Sequence, residues 1–253
     1  MYPFANTVKS QTFRLTSFDA IVSHINTSFV AFYKNNTSDG EDFASDDIIT
    51  AAFYKALVHF PIMAGELVQR NDGRFEIVVD KPKLNMPNYR MSITDDVHFG
   101  PVQSAKFSPP AWPKGLATAG AIAVANPQSN QLHLMHAHVV RFKENSGAAF
   151  FVNITHVVGD ASCCRAFVQV WANYMRELKI GRAAVKLPLL FGRAVFQKCI
   201  PSERMPLDDM AHAFLTQPNP KAEKFARLSS NDCSMLVLKR YNSIVTVAVG
   251  YSE

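Results

Sequence analysis

Long apolar runs, clustered charge and a secretion signal are all absent from this chain. No stretch is apolar over the roughly 20 residues that a membrane-spanning helix needs, so we expect no membrane partner. The segment Met1-Tyr2-Pro3-Phe4 is not a basic region followed by an apolar one, and we therefore expect a cytoplasmic protein. The net charge is only +5, and the basic residues are scattered, which argues against a nucleic-acid partner.

Cysteine is scarce, and its spacing argues against a disulfide framework or a zinc knuckle. The chain has four cysteines, two of them adjacent and none in CxxC spacing. We expect reduced thiols. An alternative is that Cys163 and Cys164, at a predicted helix start, provide a nucleophile of lowered pKa. The helix pattern places Cys164 in the core, which disfavours this alternative.

What the chain does contain is enough apolar sequence for a sizeable core. Hydrophobic residues make up 48% of the 253 residues and charged residues 19%. After Asp46, apolar residues recur at three- and four-residue steps, which predicts a helix capped by Ser45 or Asp46 and stopped by Pro61. Its buried face is predicted to comprise Ile49, Ala52, Phe53, Ala56, Leu57 and Phe60.

A hairpin and several further elements are predicted around that helix. The turn signal Asn71-Asp72-Gly73, followed by alternation over residues 75–79, predicts a hairpin over residues 67–79. Residues 13–15 and 132–142 are predicted as strands, residues 117–125 as a strand or buried segment, and residues 235–249 as two strands. Residues 19–33 fit either helix or strand. Residues 81–115 show no clear period.

The most informative segment is His156-Val157-Val158-Gly159-Asp160. It follows the apolar run of residues 148–155, a predicted core strand. It precedes a predicted helix over residues 164–178, with Gly181 as its C-cap. The predicted buried face of that helix is Cys164, Phe167, Val168, Trp171, Tyr174, Met175 and Leu178. A histidine on such a turn is well placed to act as a base, because imidazole titrates near neutrality.

Several segments, in this order, resemble the BAHD-type acyl-CoA acyltransferases, particularly their fungal relatives. The HxxxD signature of that family matches His156 to Asp160, with Ala161 where glycine often follows. The remaining matching segments are Leu15-Thr16-Ser17-Phe18-Asp19, Phe32-Tyr33, Phe60-Pro61-Ile62-Met63-Ala64-Gly65-Glu66-Leu67, Asp72-Gly73-Arg74 and, faintly, residues 235–239. The resemblance covers residues 13–180 well. No segment matches the family's DFGWG motif, and full members are nearly twice this length.

The resemblance implies an α/β fold of the chloramphenicol-acetyltransferase type, a mixed sheet flanked by helices. We expect residues 1–180 to form the amino-terminal domain that carries HxxxD. Residues 181–253 are expected to form a crossover segment and the start of an incomplete second domain, which would be largely missing. An exposed domain interface would then permit self-association.

The resemblance also implies the chemistry. His156 would be the general base that takes the proton of a small-molecule hydroxyl or amine, which then attacks the thioester of acyl-CoA. Acyl-CoA is thus the expected co-substrate, with no bound cofactor and no metal. Spacing alone would let Asp160 pair with the imidazole; the family resemblance implies instead a structural ion pair with an arginine. Gly159 is expected to admit the close approach of a substrate or a positive φ at the turn. Candidate arginines are Arg165, Arg193 and Arg240.

Two rival functions stay open at this point. His136 and His138 share a face of the predicted strand and Glu144 follows, an arrangement similar to a cupin-like metal site. The gap from His138 to Glu144 is one residue too long for that pattern, and its glycines are missing. The other rival is a truncated or degenerate relative that binds a ligand or partner without turnover.

Overall fold

The computed structural model describes residues 4–16, 19, 25–36, 45–117 and 132–181, together with the backbone of two strands at 234–238 and 244–250. The predicted segment at residues 118–125, the crossover at residues 182–233, Arg193 and Arg240 lie outside the described residues. Within them, no helix combines the length and apolarity needed to cross a membrane. The helices are α1 (Phe4–Thr7), α2 (Asp46–Leu57), α3 (Phe99–Ser104) and α4 (Ala161–Ile180).

The strands of the described part form two sheets. A three-stranded antiparallel sheet has the order β1 (Gln11–Arg14), β4 (Phe75–Val79), β3 (Glu66–Gln69). A six-stranded sheet has the order β5-β6-β7-β2-β9-β8, from β5 (Asn88–Ile93), β6 (Met135–Arg141) and β7 (Gly147–Thr155) to β2 (Asn26–Lys34), β9 (Ile244–Gly250) and β8 (Ser234–Leu238). The sheet is mixed because β5 and β6 run parallel, whereas all other neighbouring strands in this sheet are antiparallel.

The predicted helix at Asp46 and the hairpin are confirmed. Ser45 caps α2 through its Oγ, which accepts from the Ile48 N–H at 3.4 Å, and the six predicted core residues are buried. The hairpin pairs Glu66–Gln69 with Phe75–Val79, and Gly73 has a positive φ of 78° in the turn. Gly65 is packed so closely on β4 that an added Cβ would lie 2.4 Å from Ile77 Cγ2.

The central strand and the long helix are also confirmed, with one error. Every residue of β7 is buried, and Gly181 ends α4 in the left-handed conformation with a φ of 66°. Leu178, however, is 38% exposed and does not belong to the buried face. The predicted strands over residues 235–249 are confirmed in the backbone, and they join this same sheet through the pairing of β9 with β2. The division into two domains at residue 180 stays a prediction.

The six-stranded sheet has two different faces. On the first, here called the helix face, α2 and α4 cover an aromatic core that includes Phe53, Phe150, Phe167 and Trp171. On the second, here called the loop face, residues 97–116 cover a smaller apolar cluster built on Phe32. Residues 81–115, which showed no period in sequence, contain the edge strand β5 and the short helix α3.

Candidate functional site

His156 lies immediately after β7, on the turn that leads into α4. Its backbone N–H donates to the carbonyl of Ile25 at 2.7 Å, and the N–H of Val158 donates to the carbonyl of Thr155 at 2.8 Å. The backbone of this turn is thus held by Ile25, which directly precedes β2, and by Thr155 at the end of β7, while the side chain of His156 is only partly buried. Its ring makes no hydrogen bond or ion pair with the residues that the structure describes, so its nitrogens are available to a ligand.

Gly159 allows this turn to pass close to α4. A Cβ at this position would lie 2.5 Å from the Cβ of Cys163 and 2.8 Å from its Sγ, distances that no side chain tolerates without movement. Gly159 is not among the glycines with a positive φ, so the positive-φ alternative is wrong. The close contact is with the first turn of the helix.

Asp160 is exposed and caps α4. Its Oδ1 accepts from the N–H of Ser162 at 2.9 Å and from the N–H of Cys163 at 3.1 Å, satisfying two donors that a helix start leaves free. Within the described residues, Asp160 makes no hydrogen bond to His156 and no ion pair. Of the candidate arginines, only Arg165 is described, and it is an exposed residue of α4.

Of the two adjacent cysteines, Cys164 is not an activated nucleophile. Cys164 is fully buried, and its Sγ donates weakly to the carbonyl of Thr27 at 3.5 Å. Burial raises the pKa of the Cys164 thiol well above its usual value, and Cys163 and Asp160 raise it further. Because the thiolate is the nucleophilic form, Cys164 is inert at neutral pH.

The structure does not bring together the residues of the metal alternative, His136, His138 and Glu144. His138 is buried, and both ring nitrogens are within hydrogen-bonding distance of protein groups: Nε2 of Ser92 Oγ at 2.8 Å, and Nδ1 of the Leu116 carbonyl at 3.1 Å. Glu144 lies beyond the other end of β6, 3.8 Å from His98. No cluster of three metal-ligating side chains occurs among the residues described.

A polar strip occupies the loop face at the end of the sheet nearest His156. The strip consists of Ser28, Asn153, Thr155 and His136, which neighbouring strands bring together: Ser28 pairs with Asn153, and Asn153 pairs with His136. Thr155 lies on the same face as Asn153, two residues further along β7. The amide of Asn153 donates to Ser28 Oγ at 2.8 Å. The strip thus places four polar side chains on the loop face, and one of them, Thr155, directly precedes His156 in the chain.

The strip carries no charge at neutral pH. Burial, together with the smaller effects of the nearby His133 and Arg90, lowers the pKa of His136 to about 4. We did not predict this strip, although the sequence carries a signal for it. In the otherwise apolar β7, Asn153 and Thr155 are polar residues two positions apart, which is the spacing of one strand face.

The opposite end of β7 has an open cleft of about 250 Å³ that does not include His156. It is lined by Arg141, Asp46 and neighbouring residues, and the Arg141 guanidinium pairs with the Asp46 carboxylate at 2.6 Å. Nine residues of extended strand separate the two ends, or roughly 25 Å. This cleft and the candidate base are therefore separate features.

Comparison with known proteins supports the resemblance to acyltransferases for the amino-terminal region. The sequence model described as Transferase family matches residues 3–80, which include β2, α2 and the hairpin. This part of the chain is similar to Transferase-family sequences. The predicted resemblance to BAHD-type acyltransferases is thereby confirmed, although the match ends before His156. A sequence search of curated proteins gives no match.

Two solved structures share the fold. Ligand-free F. graminearum TRI101 superposes with a TM-score of 0.50 at 13% identity, covering 67% of this chain and 40% of that protein. A mutant starter condensation domain of rhizomide synthetase RzmA superposes with a TM-score of 0.50 at 12% identity, covering 92% of this chain and 54% of that domain. The predicted mixed α/β fold of the chloramphenicol-acetyltransferase type is confirmed. The chain spans about half the length of these structures or less.

Proposed function

We propose that this chain carries the base of an acyltransferase that moves an acyl group from acyl-CoA to a hydroxyl or amine of a small molecule. The observation that carries the proposal is the position of His156: a partly exposed imidazole without protein partners among the described residues, on a turn held by Ile25 and Thr155. The Transferase-family match over residues 3–80 supports it from an independent part of the chain.

In the proposed reaction, a ring nitrogen of His156 takes the proton from the acceptor as its oxygen or nitrogen attacks the thioester carbonyl. The tetrahedral intermediate then collapses, the carbon–sulfur bond breaks, and the imidazolium returns the proton to the leaving thiolate. The products are an ester or amide and free coenzyme A. A thioester is already activated, so alignment of two substrates and one positioned base suffice, and the base contributes about 10²–10⁴-fold.

Coenzyme A is the proposed carrier because F. graminearum TRI101, one of the two proteins of shared fold, has been crystallised with coenzyme A and deoxynivalenol. No residue of this chain is assigned to the carrier. We place the activity in the cytoplasm as part of the proposal. Association of two copies through an exposed domain interface also stays a proposal, and size-exclusion chromatography of the purified chain tests it.

The test compares His156→Ala with His98→Ala, a partly buried histidine in the segment before α3, on acetyl-CoA with a panel of alcohols and amines. Release of free thiol is followed, with a blank lacking acetyl-CoA because Cys163 of the protein can itself react with a thiol reagent. We expect His156→Ala to lose at least about 10²-fold in turnover and His98→Ala to keep it. Equal turnover in both variants would remove the assignment of His156 as the base.

The second candidate function is binding without turnover. It is favoured by one fact: the chain spans only 40–54% of the length of the two similar structures. If no panel member is acylated, a rise in the melting temperature with coenzyme A supports this second candidate. Turnover that depends on His156 contradicts it.

A further inference from the structure

Thr155, the residue before His156, has a buried hydroxyl that nothing in the described part of the protein satisfies. Its side chain is 1% exposed, and its Oγ1 has no hydrogen-bond partner there. The backbone N–H of Thr155 is satisfied, because it donates to the carbonyl of Leu134 at 3.0 Å. The unsatisfied group is therefore the side chain alone, on the loop face.

An unpaired buried hydroxyl is costly. Leaving such a group without a partner costs about 1–3 kcal/mol, so native proteins keep few of them. Thr50 shows the usual outcome, because its Oγ1 lies 3.1 Å from the hydroxyl of Tyr89. A valine has nearly the same shape as threonine and would remove the cost at position 155. The presence of a hydroxyl there calls for a partner from outside these residues.

The surroundings of Thr155 indicate what kind of partner fits. The other members of the strip are a serine, an asparagine and a histidine, none of them charged at neutral pH, and Asn153 is fully buried. The strip itself contains no acidic or basic side chain that is charged at neutral pH, so an ammonium placed here would lose its hydration without gaining an opposite charge, and a carboxylate would gain one only from Arg90 outside the strip. A hydroxyl, carbonyl or amide oxygen would instead pair with the Thr155 hydroxyl, which can both donate and accept.

We infer that Thr155 is a substrate-binding residue whose hydroxyl pairs with an uncharged oxygen-bearing group of the acceptor, next to His156. The inference rests on the proposed acyltransferase function. According to this inference, the acceptor binds at the polar strip on the loop face, and His156 carries out the proton transfer.

The test uses Thr155→Val and Thr155→Ser, with acetyl-CoA as donor and benzyl alcohol as the acceptor probe. Thr155→Val should raise the KM for the alcohol about 3–10-fold, the equivalent of one hydrogen bond, with a smaller change in kcat. Thr155→Ser keeps the hydroxyl and should restore most of the affinity. Because the hydroxyl has no partner among the described residues, the melting temperature of Thr155→Val should equal or exceed that of the wild type.

Thr50→Val is the matched control, since it removes a paired hydroxyl from a site on the helix face. It should lower the melting temperature and leave the KM for the alcohol unchanged. The inference is overturned if Thr155→Val melts lower than the wild type, as expected for a hydroxyl already paired, or if its KM is unchanged. A wild-type chain without turnover contradicts the proposed function itself and removes the inference with it.

Discussion

The two faces of the six-stranded sheet differ in how they are packed and in how their polar groups are satisfied. On the helix face, aromatic rings pack edge-on around Trp171, and its buried indole N–H donates to the carbonyl of Ile49 at 2.9 Å. On the loop face, next to His156, polar side chains are buried and the hydroxyl of Thr155 is left unpaired among the described residues. The difference teaches that stability comes mainly from the helix face, and we propose that the end of the loop face gives up some stability for binding.

The largest effect on stability should follow from removing a large aromatic side chain from the helix face. Trp171→Ala leaves a cavity among Phe53, Phe150 and Phe167 and removes the hydrogen bond from the indole to the Ile49 carbonyl. We expect a loss of about 3–5 kcal/mol in the free energy of unfolding, measured by urea titration. The conservative Thr155→Val on the loop face serves as the contrast, with no loss. A loss below about 1 kcal/mol for Trp171→Ala would show that the helix face is not the main source of stability.

The next largest effect should come from the turn that carries His156. Gly159→Ala forces its Cβ against Cys163, and a misfit of this kind typically costs about 1–3 kcal/mol. Gly100→Ala is the control, because an added Cβ there meets nothing within 4 Å. Urea titration of both variants makes the comparison. Equal stability of the two would mean that the turn can move away from α4 at no cost.

A smaller effect separates two roles of Asp160. Asp160→Ala removes the cap of α4 and should cost about 1 kcal/mol in the free energy of unfolding. Asp160→Asn keeps an equally good capping oxygen and should cost much less, because asparagine ranks with aspartate at this position. Thermal unfolding distinguishes them. A large loss in the asparagine variant would instead indicate the arginine ion pair that the family resemblance implies.

The last effect, which is confined to acid pH, is a pH dependence from the strip. The folded-state pKa of His136 is lowered to about 4 from an unfolded value near 6.5. The unfolded state therefore binds the extra proton first, and stability falls as the pH drops from about 6.5 towards 4. The pKa of His138 is also lowered, mainly by burial, and adds to this loss. As the pH falls over that range, the melting temperature of His136→Gln should decrease less steeply than that of the wild type. Identical slopes in the two proteins would show that His136 does not contribute to the pH dependence.

Sequence reasoning predicted the helix face better than the loop face for a physical reason. Residues of α2 and α4 face one core, so their three- and four-residue spacing is visible in sequence. Leu178 is the exception, because it lies in the last turns of α4, where the helix is exposed. The edge strand β5 was missed because only Tyr89 and Met91 pack on the core and the other four residues are exposed.

The candidate site could be predicted in part. His156 stood out because one polar ring follows a largely apolar strand. The cap made by Asp160 and the contact between Gly159 and Cys163 depend on how the turn meets α4, and spacing alone does not fix that. The pairing of Asn153 with Ser28 joins strands 125 residues apart in sequence. Register between such distant strands is set by the whole sheet, so the strip required the structure.

The most direct test of the central claim is chemical rescue of His156→Ala. Added imidazole can enter the space left by the missing side chain and accept the acceptor's proton in its place. We predict that thiol release from acetyl-CoA by His156→Ala rises with imidazole concentration, whereas the wild type and His98→Ala do not respond. An active wild type with a fully active His156→Ala variant, unaffected by imidazole, would contradict the claim that His156 is the base.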